Sequence, residues 1–421
     1  MRITEIEGFE ILPPFQDFNA VAINRYHGVG LQRRGILVVK TDNGLEGYGE
    51  NWGSLPDLDA LRTEYVGTDP FNWMGALVDL PMCMANYDLM GKYLGVPAWK
   101  LIGPKVRSWV PVSAWTVSQK PADMAEEVRQ AAQRGYHWIK YHLDEVQNVI
   151  EQTEAMQEVA PPGFKVHYDF NANLDFYTMC PLIQELARFP VAGRVEDVMA
   201  SGDEEGFRLL REKSKLPIIV HHGPAEFMVK NLCDGFMSGH SPVGMAAKLA
   251  AVAEMTRTPI MLQNVGGVIN QAFLAHQAAV FKMATIDHVN LCHMWKDDVT
   301  VERMPVIGGS VEVPDGPGLG VTLDRDKLEL YARTPEPDYG RFLVRLRYAD
   351  GLQIYLRHNP NLPGCTDNLR FHERLHGFQV PTRVPSYNSP LVTDFWDESE
   401  EPSEFERIWQ KTASGPVWTN A

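Results

Sequence analysis

His137-Trp-Ile-Lys-Tyr-His142, Lys165-Val-His-Tyr-Asp169, Gly193-Arg-Val-Glu196 and Leu216-Pro-Ile-Ile-Val-His221 are four short apolar runs, each ending in an ionisable residue. They recur about every 25 residues, and helix-like stretches fill the gaps at 121–135, 143–160, 177–189 and 202–213. Strand alternating with helix at that spacing means parallel strands joined by helical crossovers. An earlier run at 110–115 and later units near 235, 259 and 288 raise the number to about eight, enough to close a barrel. A doubly wound open sheet is the alternative, but no glycine-rich phosphate fingerprint supports it.

Outward from this core the patterns change. Residues 1–50 read as strands, with a hairpin signal at Thr41-Asp-Asn-Gly44. Residues 57–103 read as helical and end at Gly103-Pro104. Strands followed by helices make a separate α+β unit. The expected divisions are an N-terminal capping domain at 1–108, a barrel at 109–325, and a C-terminal segment at 326–421. That last segment returns to the capping domain and carries an extension. Its end, rich in Pro, Ser and acids, reads as a surface-wrapping extension or a disordered tail.

Composition narrows the function. The chain has 421 residues and a formal net charge of -15. No stretch clusters Lys and Arg, so a nucleic-acid partner is not expected. No apolar run is long enough for a membrane span. Five scattered cysteines form no CxxC pair, which fits a reducing, cytoplasmic location.

In a βα barrel the chemistry sits where strands end. Period-2 alternation puts Lys140 and His142 on one face, either as an acid/base pair or as a solvated strand end. Asp169 and Glu196 lie one βα unit apart, which suits a hard divalent cation, although Asp169 could equally cap a helix. His221 and His222 repeat the spacing and are either site residues or structural ones.

Three further stretches carry a resemblance. They are Val38-Val-Lys-Thr-Asp-Asn-Gly-Leu-Glu-Gly-Tyr-Gly-Glu50, Tyr87-Asp-Leu-Met-Gly-Lys-Tyr-Leu-Gly-Val-Pro97 with Leu101-Ile-Gly103, and Val311-Glu-Val-Pro-Asp-Gly-Pro-Gly-Leu-Gly-Val321. With the strand ends, they make the chain resemble the mandelate racemase and muconate-lactonizing branch of the enolase superfamily, over residues 1 to about 330. The resemblance implies a (β/α)7β-like (TIM-type) barrel with an N-terminal α+β capping domain. It implies a divalent metal, Mg by family, held by Asp169, Glu196 and a third group. The third place, an acid in the family, falls on His222, with Glu226 nearby. An imidazole there would favour Mn, Fe or Zn over Mg. Lys140-Tyr-His142 is similar to the family's Lys-x-Lys, so Lys140 and His142 take the catalytic places, with His142 as the base. No Asp stands at the expected place in 234–240, and Gln263-Asn264 occupies the place of a frequent catalytic histidine, so a second base is not visible.

Substrate contacts are expected from Tyr26 and His27 in the capping loop, and from Asn171, His221, Asn264 and His293 at strand ends. The implied reaction is metal-assisted removal of a proton α to a carboxylate, in the dehydration of an acid sugar or similar small hydroxy acid. The acid for the leaving hydroxide would be Tyr26, His27, His240 or His293. The alternatives are an epimerase or racemase, and a catalytically lapsed barrel acting as a binding or structural protein. The expected partner is a small carboxylic acid, and the resemblance implies a homo-oligomer.

Overall fold

The computed structural model describes residues 1–27, 29–143, 146–172, 174–357, 380–381 and 391–420. The N-terminal unit is an antiparallel sheet of β1 (Ile3–Ile11), β2 (Arg34–Thr41) and β3 (Glu46–Trp52). Helix α1 (Ala20–His27) lies in the β1–β2 connection, and α2 (Leu58–Tyr65), α3 (Leu80–Leu94) and α4 (Trp99–Ile102) follow β3. The stretch at 57–103, read as helical throughout, is therefore broken. Gly67 and Gly75 adopt positive φ, and Pro70 and Pro81 each open a new turn. Helix α3 lies directly on β3: a Cβ at Gly47 would meet the Ala85 carbonyl at 2.4 Å, and one at Gly49 the Pro81 carbonyl at 2.0 Å. That close approach explains the glycines of Glu46-Gly-Tyr-Gly-Glu50.

Eight parallel strands then close on themselves: β4 (Trp109–Val117), β5 (Trp138–His142), β6 (Lys165–Asp169), β7 (Ala192–Glu196), β8 (Ile218–Val220), β9 (Gly235–Gly239), β10 (Ile260–Gln263) and β11 (His288–Val289). Pairing of β11 with β4 completes the barrel, and β12 (Ser310–Glu312) pairs antiparallel with the first residues of β4, Trp109 to Pro111. The crossovers are α5 (Pro121–Gln133), α6 (Val149–Val159), α7 (Phe176–Leu186), α8 (Glu204–Lys213), α9 (Glu226–Val229), α10 (Val243–Thr256) and α11 (Val268–Val280). Outward-facing strand residues such as Ile139, Tyr141, Val166 and Val195 pack with helix residues such as Val128, Leu182 and Leu210 in one apolar shell. The register pairs His142 with Asp169 and Asp169 with Glu196, so these strand ends lie side by side at one rim. Among the described residues no helix is long and apolar enough to cross a membrane.

Helix α12 (Arg325–Ala332) returns to the N-terminal sheet, where Leu12 N–H donates to the Tyr331 carbonyl at 3.0 Å. Of the two readings of the C-terminal end, the disordered tail is corrected over residues 391–420, while 382–390 lie outside the described residues. A second antiparallel sheet, in the order β15 (Leu391–Asp397), β13 (Phe342–Tyr348), β14 (Leu352–Arg357), β16 (Val417–Asn420), carries α13 (Pro402–Lys411) on one face. Alternation sorts its residues: Val344, Leu346 and Ile354 build one core, while Leu343, Trp396, Phe405 and Ile408 build another beneath α13. Five of the acids that suggested disorder, Asp394, Asp397, Glu398, Glu404 and Glu406, are paired with arginines, such as Arg345 with Asp394 at 2.8 Å.

One buried cluster joins the capping unit to the barrel. Arg34 on β2 is fully buried and reaches Glu50 on β3 at 3.0 Å and Asp298 at 3.2 Å. Those carboxylates also accept the backbone N–H groups of Gly267, Val268 and Asn270, the orphan donors at the start of α11. Arg34→Met would leave two buried carboxylates without their cation. A loss of about 3–5 kcal/mol in urea unfolding is expected, with Arg208→Ala, which removes exposed pairs on α8, leaving stability unchanged.

Candidate active site

Lys140 points into the barrel and is fully buried. Its three donors are all used: Glu196 Oε1 at 2.8 Å, Gln263 Oε1 at 2.8 Å and Asp169 Oδ2 at 3.0 Å. Burial opposes its charge, but Asp169 and Glu196 outweigh that and raise its pKa above the ordinary value. Burial likewise works to raise Glu196, yet Lys140 and His167 hold its carboxyl well below the usual range. Burial, then the neighbouring Glu196 charge, raise Asp169. His167, one turn of the β6 pleat below Asp169, has its own logic. Arg194 Nε can only donate, and it meets His167 Nδ1 at 3.0 Å, so the ring proton sits on Nε2 and faces Glu196 Oε2 at 2.7 Å. Burial pushes His167 down to about 3, which keeps it neutral at pH 7.

Above this layer opens a cavity of about 820 Å³, lined among others by His142, Asp169, Asn171, His221, His222, His240 and Gln263. His142 stands two positions beyond Lys140 with Nδ1 3.3 Å from Asn171 Nδ2. His221 Nδ1 lies 3.4 Å from Glu196 Oε1. The side chain of His222 is 65% exposed, and its Nδ1 lies 2.6 Å from Asp197 Oδ2. That hydrogen bond outweighs desolvation and raises the pKa of His222.

Asp197 is a site residue that the sequence reading passed over. Consecutive strand residues point to opposite faces, so Glu196 facing inward argues for Asp197 facing out. The backbone overrides this: Asp197 has φ +43, which turns the chain at the strand end and brings its carboxylate to the same mouth. Among the described residues, two groups have donor atoms close enough to share an ion: Asp169, Glu196 and Asp197, and Asp197, His221 and His222. The expected triplet of Asp169, Glu196 and His222 is neither of these, and Asp197 belongs to both. The first group is buried and offers only carboxylate oxygens, the donor set a hard divalent ion prefers. Lys140 supplies one positive charge against three carboxylates. An anionic substrate would meet a net negative floor unless a further cation were present.

The remaining expected contacts divide. Asn171 and His221 line the cavity. Asn264 does not; β10 ends at Gln263, whose side chain takes the inward place, and the Asn264 carbonyl accepts from Asn290 Nδ2 at 2.9 Å. His293 is in a separate cavity of about 310 Å³, with Nε2 3.0 Å from the Trp115 carbonyl and its ring beside Tyr136. The two-residue strand β11 runs into a tight turn at Cys292–Met294, so alternation cannot be carried past it. Tyr26 and His27 belong to α1, but their side chains lie outside the described residues. His240, read as one candidate acid, lines the main cavity and stacks on Trp52 with centroids 6.4 Å apart.

Residues 123–327 match the family model described as enolase C-terminal domain-like. A D-xylonate dehydratase of Haloferax volcanii is 26% identical over 350 residues, covering 70% of this chain and 85% of that protein. A D-gluconate dehydratase of Thermoproteus tenax is 25% identical over 357 residues, 71% of this chain and 70% of that one. Among solved structures, muconate cycloisomerase of Pseudomonas fluorescens has a TM-score of 0.65 at 20% identity, covering 79% of this chain and 99% of that one. A mandelate racemase/muconate lactonizing family protein of Azoarcus sp. has the same TM-score at 19% identity, with 79% and 98% covered. The structural likenesses speak for the fold, and the family model speaks for the sequence of the barrel itself. Residues 123–327 thus match the enolase C-terminal domain-like family, and they fold as a closed barrel with its strand ends in the order expected of the mandelate racemase and muconate-lactonizing fold.

Proposed function

We propose that this protein is a lyase that removes the proton α to the carboxylate of a small hydroxy acid and expels a β-hydroxyl as water. Acid sugars are the class that its dehydratase relatives name. The observation that carries the reading is His142, which faces the cavity two positions from Lys140 and beside the carboxylates of Asp169, Glu196 and Asp197. A base next to fixed positive charge is what this chemistry needs, because loss of the α-proton leaves an enediolate with two charges on the carboxylate oxygens.

Asn171 Nδ2 donates to the Asp169 carbonyl at 3.2 Å and lies 3.3 Å from His142 Nδ1, so Nδ1 carries the ring's lone pair, and His142 takes the α-proton there as the substrate displaces the Asn171 amide. Lys140 meets the substrate carboxylate by exchanging its neutral partner, Gln263, while Asp169 and Glu196 keep it charged. A divalent ion held by Asp169, Glu196 and Asp197 would supply electrostatic stabilisation of the enediolate. His222 would then orient Asp197 rather than bind the ion. His142, protonated by taking the α-proton, gives the proton to the leaving hydroxyl, which departs as water, and the resulting enol tautomerises to a keto acid; burial pushes His240 down to about 4, so it is neutral at pH 7 and does not act as the acid. The four cysteines among the described residues are free thiols, in keeping with a cytoplasmic enzyme. One observation favours a second reading, a lapsed barrel that only binds its ligand: Lys140 already has all three donors occupied within the protein.

Two measurements test these roles. Saturating Mg²⁺ or Mn²⁺ should raise thermal stability, by about 2.7 kcal/mol at a hundredfold excess over Kd. Glu196→Gln and Asp197→Asn should lose that shift and His222→Ala should keep it. Loss with His222→Ala, together with a preference for Zn²⁺, would assign the ion to the group of Asp197, His221 and His222 instead. For the base, α-proton exchange of a panel of hydroxy acids in D2O with Mg²⁺ should fall by about 10²–10⁴-fold in His142→Ala, with the melting temperature unchanged. Exchange absent from the wild type across that panel would leave the lapsed reading in place.

A further inference from the structure

The mouth of the barrel is divided by strand. The four neighbouring strands β5 to β8 end in Lys140, His142, Asp169, Asn171, Glu196, Asp197, His221 and His222, the ionisable half. The other four, β9, β10, β11 and β4, give the cavity Met237, Val265, Leu291 and Trp115. The capping unit closes the same side with Leu31 and Trp52. Leu31, Trp115, Met237, Val265 and Leu291 belong to one apolar cluster that runs down the barrel interior. The polar side chains on this side are few among the described lining residues: the Gln263 amide oxygen holds Lys140, Ser241 Oγ donates to the Gly239 carbonyl at 3.1 Å, and the His240 ring lies against Trp52.

A substrate whose carboxylate and reacting carbons lie at the ionisable half must send the rest of its chain across the apolar half. Each hydroxyl set against Leu31, Met237, Val265 and Leu291 would give up its water and meet hydrocarbon and a thioether in its place. An alkyl or aryl group would instead gain by leaving water, at about fourfold in affinity per methylene. We propose that the site takes a 2,3-dihydroxy acid whose chain beyond the reacting carbons is apolar, alkyl or aryl, rather than polyhydroxylated. This rests on the reading above, which puts a carboxylate at the ionisable half, and it separates this chain from the sugar-acid class named by its relatives.

The experiment is calorimetric titration of the full-length protein with Mg²⁺ present. The ligands are 2-hydroxybutanoate, 2-hydroxyhexanoate, 2-hydroxyoctanoate and 3-phenyllactate, against gluconate and galactonate. Affinity should rise about fourfold per added methylene, and 2-hydroxyhexanoate should bind at least about tenfold tighter than gluconate, which has the same number of carbons. Val265→Asn, and Trp52→Ala at the partly exposed rim, should each flatten the chain-length trend, so the test survives if one variant fails to fold. Gluconate binding as tightly as 2-hydroxyhexanoate, or a flat chain-length series in the wild type, would overturn the proposal. The methyl ester of 2-hydroxyoctanoate keeps the two ideas apart. If the ester binds as well as the acid while the chain-length trend persists, the carboxylate reading fails and the apolar tail stands.

Discussion

A single buried ammonium group organises the centre of this protein. Lys140 sits at the axis of the barrel with two carboxylates and an amide oxygen as partners, and it is fully out of water. Each partner is needed by the others. Asp169 and Glu196, on adjacent strands, would repel without the lysine, and the lysine would not stay charged in an apolar barrel without them. Satisfying this group determines which residues of β5, β6, β7 and β10 face inward. It thereby sets the phase of His142 and its neighbours at the rim. His167 and Arg194 continue the arrangement one layer down, with Arg194 fixing the tautomer that lets His167 face Glu196.

A second constraint supplies the lid. Arg34, Glu50 and Asp298 join the N-terminal sheet to the first turn of α11, so the sheet's strand ends are held at a defined place over the barrel. That is how Leu31 and Trp52 come to line a cavity whose floor belongs to the barrel. The resulting space has charge on one side and an apolar wall on the other, a division that follows from four consecutive strands on each side.

The C-terminal sheet reaches the rim of this cavity's surroundings through few but specific contacts. Asp397 pairs with Arg25 of α1 at 3.2 Å, and Thr393 accepts from Gln147, just after β5, at 3.2 Å. Phe395 packs on the apolar cluster that includes Trp115 and Leu31. The sheet therefore touches the helix that carries Tyr26 and His27. It was hard to read from sequence because its strands are amphipathic on both faces, with arginines on the α13 side. The composition of such segments is close to that of a polar tail.

Much of the barrel could be read directly from sequence because two short-range rules act there. Apolar runs at a regular spacing force parallel strands, and alternation within a run fixes which residues share a face. Lys140, His142, Asp169 and Glu196 were legible for that reason: each lies inside a strand or at its last residue, where alternation still holds. Past the strand end the rule lapses. Asp197 joins the site only because its backbone adopts a positive φ, and Gln263 rather than Asn264 faces inward because β10 stops there. His293 goes to another cavity because the chain has already turned. The apolar wall was invisible for a different reason. Its residues come from six separate segments, each an ordinary hydrophobic position on its own. They become a surface only when closure of the barrel and docking of the capping sheet set them around one space.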